Sequence, residues 1–365
     1  MSGDAVRNQP VGPPVGAEAA ADLPAPAGVT PGGGAVPQPA ATAGAAPAAA
    51  GWGRWGSVEL RNLGLVAVLV VLAVVGVLTS DTFGTVANIK NILVSSSVSG
   101  VVTVGVTLVI IGGGIDLSVG ALVALASVWA TTLQTQSYGP VVMITTAIIV
   151  GLVAGLVNGV LIAYGALVPF IVTLAMLVSA RGLAARIAEN RTQIVRDETI
   201  KDIATAEILG IPLLVVLLAV VVAIGWLLLN RTTFGRRTLA IGGNAEAARL
   251  AGIDVRRTTV TLYAISGICC GIAAIMIMSR TTTGSSTHGT LYELDAIAAA
   301  IIGGTLLAGG RGTIIGSLLG VIVFTTITNI FILNNLATET QNLAKGLIII
   351  GAVLLQRRAT RTRTT

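Results

Sequence analysis

Asp116 is the first residue whose chemistry stands out. It sits in Gly112-Gly113-Gly114-Ile115-Asp116-Leu117-Ser118-Val119-Gly120, between long apolar runs. A carboxylate at the centre of a membrane helix costs ~2.5–3.5 kcal/mol on insertion scales, so a cavity, a partner or a helix end must offset it. Three glycines ahead of it break a helix and free backbone amides. Asp116 and Ser118 are then expected at the N-terminus of the next helix, where the dipole favours a carboxylate and its oxygens cap N–H groups. The functional alternative sets this broken helix beside a substrate path, as in transporters built from discontinuous helices. Asn158, in Leu156-Val157-Asn158-Gly159, either bonds between helices or lines a pore. Pro169 opens the segment that carries Thr173, and its missing N–H suits the first turn of a helix. Asp116, Ser118, Asn158 and Thr173 are the candidates for a translocation path or gate.

A second constellation is polar throughout: Gly242-Gly243-Asn244-Ala245-Glu246-Ala247-Ala248-Arg249-Leu250-Ala251-Gly252. Asn244 is a good N-cap, Glu246 lies in the first turn, Arg249 near the last, and Gly252 can close the helix. The pattern predicts about two turns of helix between membrane spans, with a plain connecting loop as the alternative. A helix that short is marginal alone in water, so it needs a surface to pack on.

Other chemistries are excluded residue by residue. Gly303-Gly304-Thr305-Leu306-Leu307-Ala308-Gly309-Gly310-Arg311-Gly312-Thr313 fails as a phosphate loop, because Gly310 stands where the Lys is required and no strand precedes it. Any ATP must be bound by another polypeptide. His288, in a Ser/Thr/Gly-rich loop, has no visible triad and is expected to be a solvated surface residue. Cys269 and Cys270 are adjacent, which rarely satisfies disulfide geometry. With one His and two Cys, no zinc set can be assembled alone. No acid, base or metal ligands converge, so the chain is not expected to be an enzyme.

These residues sit in a chain of 365 that is 54% hydrophobic and 10% charged, with a mean hydropathy of +0.89. Soluble domains carry about 25% charged residues. A water-soluble enzyme and a nucleic-acid binder are both excluded, and the net charge of +6 falls between apolar runs rather than on one basic face. A bilayer core of ~30 Å needs ~20 helical residues. Candidate spans are 63–80, 92–112, 115–134, 141–164, 167–186, 211–229, 258–279, 294–309, 314–333 and 341–356, an all-α polytopic membrane protein of about ten helices, some broken or short. Nine of the 12 Pro residues precede residue 51. Residues 1–56 are therefore expected to be a disordered Pro/Ala/Gly-rich cytoplasmic tail, 57–356 the transmembrane domain, and 357–365 a basic cytoplasmic tail.

Arginine sets the orientation. Ten alternating spans with a cytoplasmic tail place Arg231, Arg236, Arg237, Arg249, Arg256, Arg257 and Arg311 inside, together with Arg54, Arg61, Arg357, Arg358, Arg361 and Arg363. The loop 187–210, acidic on balance, then lies outside. Glycines at small-xxx-small spacing, such as Gly151, Gly155 and Gly159, favour close helix packing in lipid.

Taken together, these segments resemble the membrane subunits of bacterial ABC importers for monosaccharides, the ribose permease family within the branched-chain/ribose permease superfamily. The resemblance runs from about residue 60 to 356. It rests on Gly113-Gly114-Ile115-Asp116-Leu117-Ser118-Val119-Gly120, Asn158-Gly159-Val160-Leu161-Ile162-Ala163, Val168-Pro169-Phe170-Ile171-Val172-Thr173-Leu174, Arg181-Gly182-Leu183-Ala184 and Thr233-Phe234-Gly235-Arg236. It rests equally on Ile241 to Ile253, on Tyr292-Glu293-Leu294-Asp295-Ala296-Ile297-Ala298-Ala299, and on Ile302-Gly303-Gly304-Thr305 with Gly309-Gly310-Arg311-Gly312-Thr313. The resemblance implies a homodimer in the bacterial plasma membrane, both termini cytoplasmic. It also implies an extracytoplasmic sugar-binding protein and a cytoplasmic ATPase with two cassettes that carries the ATP and Mg. This chain would hold no cofactor. Residues Asn244, Ala245, Glu246, Ala247, Ala248, Arg249, Leu250, Ala251 and Gly252 would be the ATPase-coupling helix. The family also moves xylose, polyols, autoinducers and, more widely, branched-chain amino acids. An ion-coupled secondary transporter or channel is the rival class, but it usually places ionisable groups in mid-span relays, whereas Asp116 is nearly alone.

Overall fold

The computed structural model describes residues 53–361. The expected tail 1–56 lies outside them up to residue 52, and its last four residues already belong to the first helix; residues 362–365 lie outside as well. In chain order the helices are α1 (Gly53–Thr79), α2 (Val86–Ile111), α3 (Val119–Ala130), α4 (Leu133–Gln136), α5 (Pro140–Ala163), α6 (Pro169–Ile187), α7 (Glu198–Thr205) and α8 (Leu213–Arg231). They continue as α9 (Thr233–Gly243), α10 (Ala245–Leu250), α11 (Val255–Thr281), α12 (Tyr292–Ile302), α13 (Ile314–Leu333) and α14 (Thr338–Arg361). Two small antiparallel pairs complete the fold: β1 (Gln193–Ile194) with β4 (Thr283–Gly284), and β2 (Glu207–Ile208) with β3 (Ile211–Pro212).

Among the described residues six helices are long and apolar enough to cross a membrane: α2, α5, α6, α8, α11 and α13. The centre is formed by α2 and α11, with 83% and 72% of their apolar windows buried, whereas 22% of α6 and 28% of α5 and α8 are. The latter therefore present their apolar faces outward, where lipid is the compatible solvent. Glycine makes the centre tight. A methyl built at Gly151 would overlap the Gly267 carbonyl, and one at Gly155 would overlap the Tyr263 carbonyl. The small-residue spacing of α5 thus seats it against α11.

Two expected spans are not continuous helices. The segment 115–134 yields α3, of 12 residues, after non-helical backbone at 112–118, and 294–309 yields α12, of 11 residues, followed by a turn through 303–313. At ~1.5 Å per residue they rise only about 18 and 16 Å, well short of the ~30 Å hydrocarbon core. The cause is glycine: Gly113, Gly304, Gly309 and Gly310 hold φ between +72° and +84°, which a helix cannot contain and which other residues rarely adopt. Such backbone survives at membrane depth only when protein surrounds it, and Gly114, Asp116 and Ser118 are buried.

The two ends of the bundle differ. One gathers the C-terminal ends of α2, α5 and α8 with α9, α10 and the N-terminus of α11. There Arg231 lies over the Trp226 ring at 5.5 Å and Arg256 over Tyr164 at 5.7 Å, a cation–π arrangement suited to a membrane boundary. The other carries α7, both strand pairs and the C-terminus of α11. The loop 187–210 contains α7, whose Asp197 caps the Ile200 N–H at 3.2 Å and whose Ile200 is fully buried. Helix α14 extends to Arg361, so residues 357–361 of the expected basic tail continue a helix.

Candidate gate and coupling surface

The four path candidates converge on the break between α2 and α3. Gly112, Gly113 and Gly114 turn back on the end of α2, their amides donating to the Leu108, Ile110 and Val109 carbonyls at 2.9–3.1 Å. The chain then runs extended to Ser118. Asp116 Oδ1 accepts from the Ser118 amide at 3.0 Å and from the Ser118 hydroxyl at 2.6 Å, while Oδ2 accepts from the Ser266 hydroxyl of α11 at 2.9 Å. Asn158 Nδ2 of α5 donates to Ser118 Oγ at 2.9 Å. Thr173 Oγ1 of α6 lies 3.4 Å from the Ile115 carbonyl, which also accepts from Tyr263 at 3.0 Å. Five helices are thereby tied to one loop.

The expected capping holds in part. Asp116 takes an N-terminal amide of α3, but Ser118, at the N-cap position, caps nothing with its side chain. Its hydroxyl relays between Asn158 and Asp116 instead. Asn158 makes the interhelical bond, and Pro169 occupies the first turn of α6. Asp116 is 1% exposed, and Ser118, Asn158, Thr173 and Ser266 are fully buried. Ser266 and Tyr263 were invisible to sequence reasoning. They lie about 150 residues away along the chain, and a Ser or Tyr within an apolar run carries no local mark of its partner.

A second element abuts this break. The Gly310 amide donates to the Ile111 carbonyl at 2.8 Å. A methyl at Gly309 would come within 2.8 Å of the Gly242 carbonyl oxygen, and one at Gly310 within 2.8 Å of Gly243 Cα. The ends of α2 and α9 and the turn after α12 therefore meet backbone to backbone. Asn244, which starts α10, is the next residue along.

Helix α10 has the expected form. Asn244 Oδ1 accepts the Ala247 amide at 3.0 Å, Arg249 pairs with Glu246 at 2.6 Å, and Gly252, at φ +81°, ends the helix with its amide donating to the Arg249 carbonyl. The Arg249 bond holds the Glu246 carboxyl below its usual range. Only Ala248 is buried, against the bundle; Leu250 is 75% exposed.

His288 departs from expectation. It is half-buried, with Nδ1 3.2 Å from Ser127 Oγ and Nε2 3.4 Å from Thr281 Oγ1. Burial first, and the neighbouring Arg181 charge second, push its pKa down to about 4. The loop folds over α3 because Arg181 of α6 donates to the Ser286 and His288 carbonyls at 2.6 and 2.8 Å. Cys269 and Cys270 are both free and buried. Among the described residues no group of three or more His, Cys, Asp or Glu is placed to hold a metal.

The family model described as "Branched-chain amino acid transport system / permease component" matches residues 88–354, which contain the break, α10, and α5, α6, α8, α11 and α13 whole. The chain belongs to this permease family. The permease is 38% identical to the ribose import permease protein RbsC of Bacillus subtilis over 74% of its own length and 85% of that protein. It is 36% identical to the Escherichia coli K12 protein of the same name, over 76% and 87%. To the L-arabinose ABC transporter permease protein AraH of Azospirillum brasilense it is 36% identical, over 87% and 93%. No solved structure gives a significant match. With six long apolar helices, the permease is a multi-pass membrane protein.

Proposed function

We propose that this permease is the membrane-spanning subunit of an ATP-powered importer of a ribose-like monosaccharide in the bacterial plasma membrane. Two copies form the channel. An extracytoplasmic binding protein delivers the sugar, and a cytoplasmic ATPase with two cassettes binds ATP and Mg. Counting α3 and α12 as half-helices completed by their glycine turns, the chain makes ten passes with both termini cytoplasmic, and the arginine-rich end that carries α10 faces the cytoplasm. The named relatives support the sugar.

The observation that carries the reading is α10: a capped, ion-paired six-residue helix that exposes Leu250 and is joined through Gly243 to the point where the discontinuous helices meet. A helix this short, held on one side by the bundle, offers its other side to a partner. Cassette closure would push it, and the backbone contacts at Gly242, Gly309 and Gly310 would carry the push to the α2–α3 break. The Asp116 network, as the gate, would then exchange one packed arrangement for another, as alternating access requires. A neutral substrate suits a path that has so little fixed charge.

Charge reversal tests the docking role. With Glu246→Arg and Arg249→Glu together, sugar uptake and sugar-stimulated ATP hydrolysis of the assembled complex fall at least tenfold, while the amount of protein in the membrane is kept. Normal coupled uptake in that variant overturns the assignment. Gradient-driven uptake by this chain alone, without ATPase or binding protein, overturns the importer reading itself.

A further inference from the structure

At the end opposite α10, the bundle holds a cavity of about 200 Å³ that neither the Asp116 network nor α10 lines. Ser95, Ser99 and Thr103 of α2 descend one wall. Their spacing of four residues puts them on one helix face, and eight residues at ~1.5 Å each span about 12 Å of depth. Thr325 and Thr328 of α13 face them. The mouth is exposed at Arg280 and the wall ends at Thr103, which is 1% exposed. The cavity thus reaches from the exposed Arg280 down to the buried Thr103.

Its polar groups are of mixed kind. Arg280 donates to Ser95 Oγ at 2.9 Å, and Lys345 Nζ of α14 pairs with Asp295 Oδ2 of α12 at 3.2 Å. Thr103 and Thr328 give their hydroxyl protons to their own helix, to the Ser99 and Phe324 carbonyls at 2.8 and 3.0 Å. That leaves their oxygen lone pairs as acceptors, and the Asp295 carboxylate has acceptor sites beyond the one Lys345 uses. Tyr292 and Phe324 supply aromatic surface. Lys345 is ion-paired with Asp295, whereas Arg280 is bonded only to the neutral Ser95 and Asn91 side chains, so an anion drawn to Arg280 would meet the Asp295 carboxylate in the same wall. A ligand whose every hydroxyl both donates and accepts can instead insert between them.

We infer that this well is where a neutral, polyhydroxylated sugar is first held within the permease, between Asp295, Arg280 and the Ser/Thr ladder of α2. The inference rests on the sugar-import reading and adds the site. It differs from the Asp116 network in having an opening and room for a ring.

The test uses the assembled complex in intact cells, with D-ribose and L-arabinose as probes. Ser99→Leu fills the well halfway down; at matched membrane levels, uptake of the transported sugar falls at least tenfold, while Ser99→Thr keeps at least half. Uptake by Ser99→Leu within twofold of the unaltered protein overturns the assignment. An independent reading is Ser99→Cys with a membrane-impermeant methanethiosulfonate. The thiol is labelled from outside, and saturating sugar slows labelling at least threefold. No labelling, or slowing by L-leucine and not by sugar, overturns it. Failure of the unaltered complex to take up either sugar counts against the sugar-import reading, whereas thiol labelling from outside still reports whether the well is open.

Discussion

The Asp116 and Asp295 clusters both lie within the apolar bundle, but only the second is open to solvent. Around Asp116, hydroxyls, an amide side chain and a backbone amide converge on a carboxylate that water does not touch. Around Asp295, the same kinds of group line a well, and both the carboxylate and its lysine remain about a fifth exposed. A sealed network stabilises or switches a fold, because each group left unpaired there costs ~1–3 kcal/mol. An open one leaves lone pairs and protons to be claimed by a ligand. Changes at the first should therefore register as stability, and changes at the second as transport.

Asp116→Leu is expected to have the largest effect. It leaves the Ser118 amide and hydroxyl and the Ser266 hydroxyl without their acceptor, a loss of about 3 kcal/mol, read as a lowered unfolding temperature in detergent and reduced membrane levels. Unchanged stability would show that the network is not sealed. Gly309→Ala should follow at about 2 kcal/mol, because its φ of +83° disfavours a β-carbon and the added methyl meets the Gly242 carbonyl; thermal unfolding of the purified protein measures it.

At the open end, stability depends on pH through His288. Its folded pKa of about 4 lies below the unfolded value, so between the two the unfolded chain binds more protons. Stability is therefore full above about pH 6.5, falls as pH drops toward 4 and levels off below that. A melting series across this window, compared with His288→Gln, reads it; an identical slope in the variant sinks the explanation. Asp116→Asn comes next, at under about 1 kcal/mol, since the amide oxygen still accepts the Ser118 amide. Uptake that stays normal would make Asp116 a cap and not a charged gate. A comparably small stability change is expected for Asp295→Asn, about 1 kcal/mol or less for a partly exposed pair, yet uptake should fall severalfold. A large loss of stability with normal uptake would invert the comparison.

How much of this was legible depended on how local the signal was. The α10 helix could be read residue by residue, because Asn244, Glu246, Arg249 and Gly252 act on neighbours three or four positions away. The break before Asp116 was legible for the same reason. The second break was legible only in part: the Gly-rich turn was expected after 309, whereas α12 ends at Ile302, because Gly304, Gly309 and Gly310 adopt positive φ against α2 and α9. His288 was misjudged because its Ser/Thr/Gly-rich setting resembles a solvated loop, and only Arg181, more than a hundred residues earlier, pulls that loop onto α3.

Composition and periodicity by themselves determined that this chain lives in a membrane, that a helix breaks before Asp116, and where the short polar helix α10 starts and ends; these follow from transfer energies and local hydrogen bonds. Tertiary structure alone decided that Ser266 and Tyr263 complete the Asp116 network. It also decided that three glycine turns meet beside α10, and that five helices leave a well between them. Those outcomes depend on which faces pack together, and in an all-apolar helix the sequence marks no face: only close approach at small residues, chosen by the whole bundle, does so.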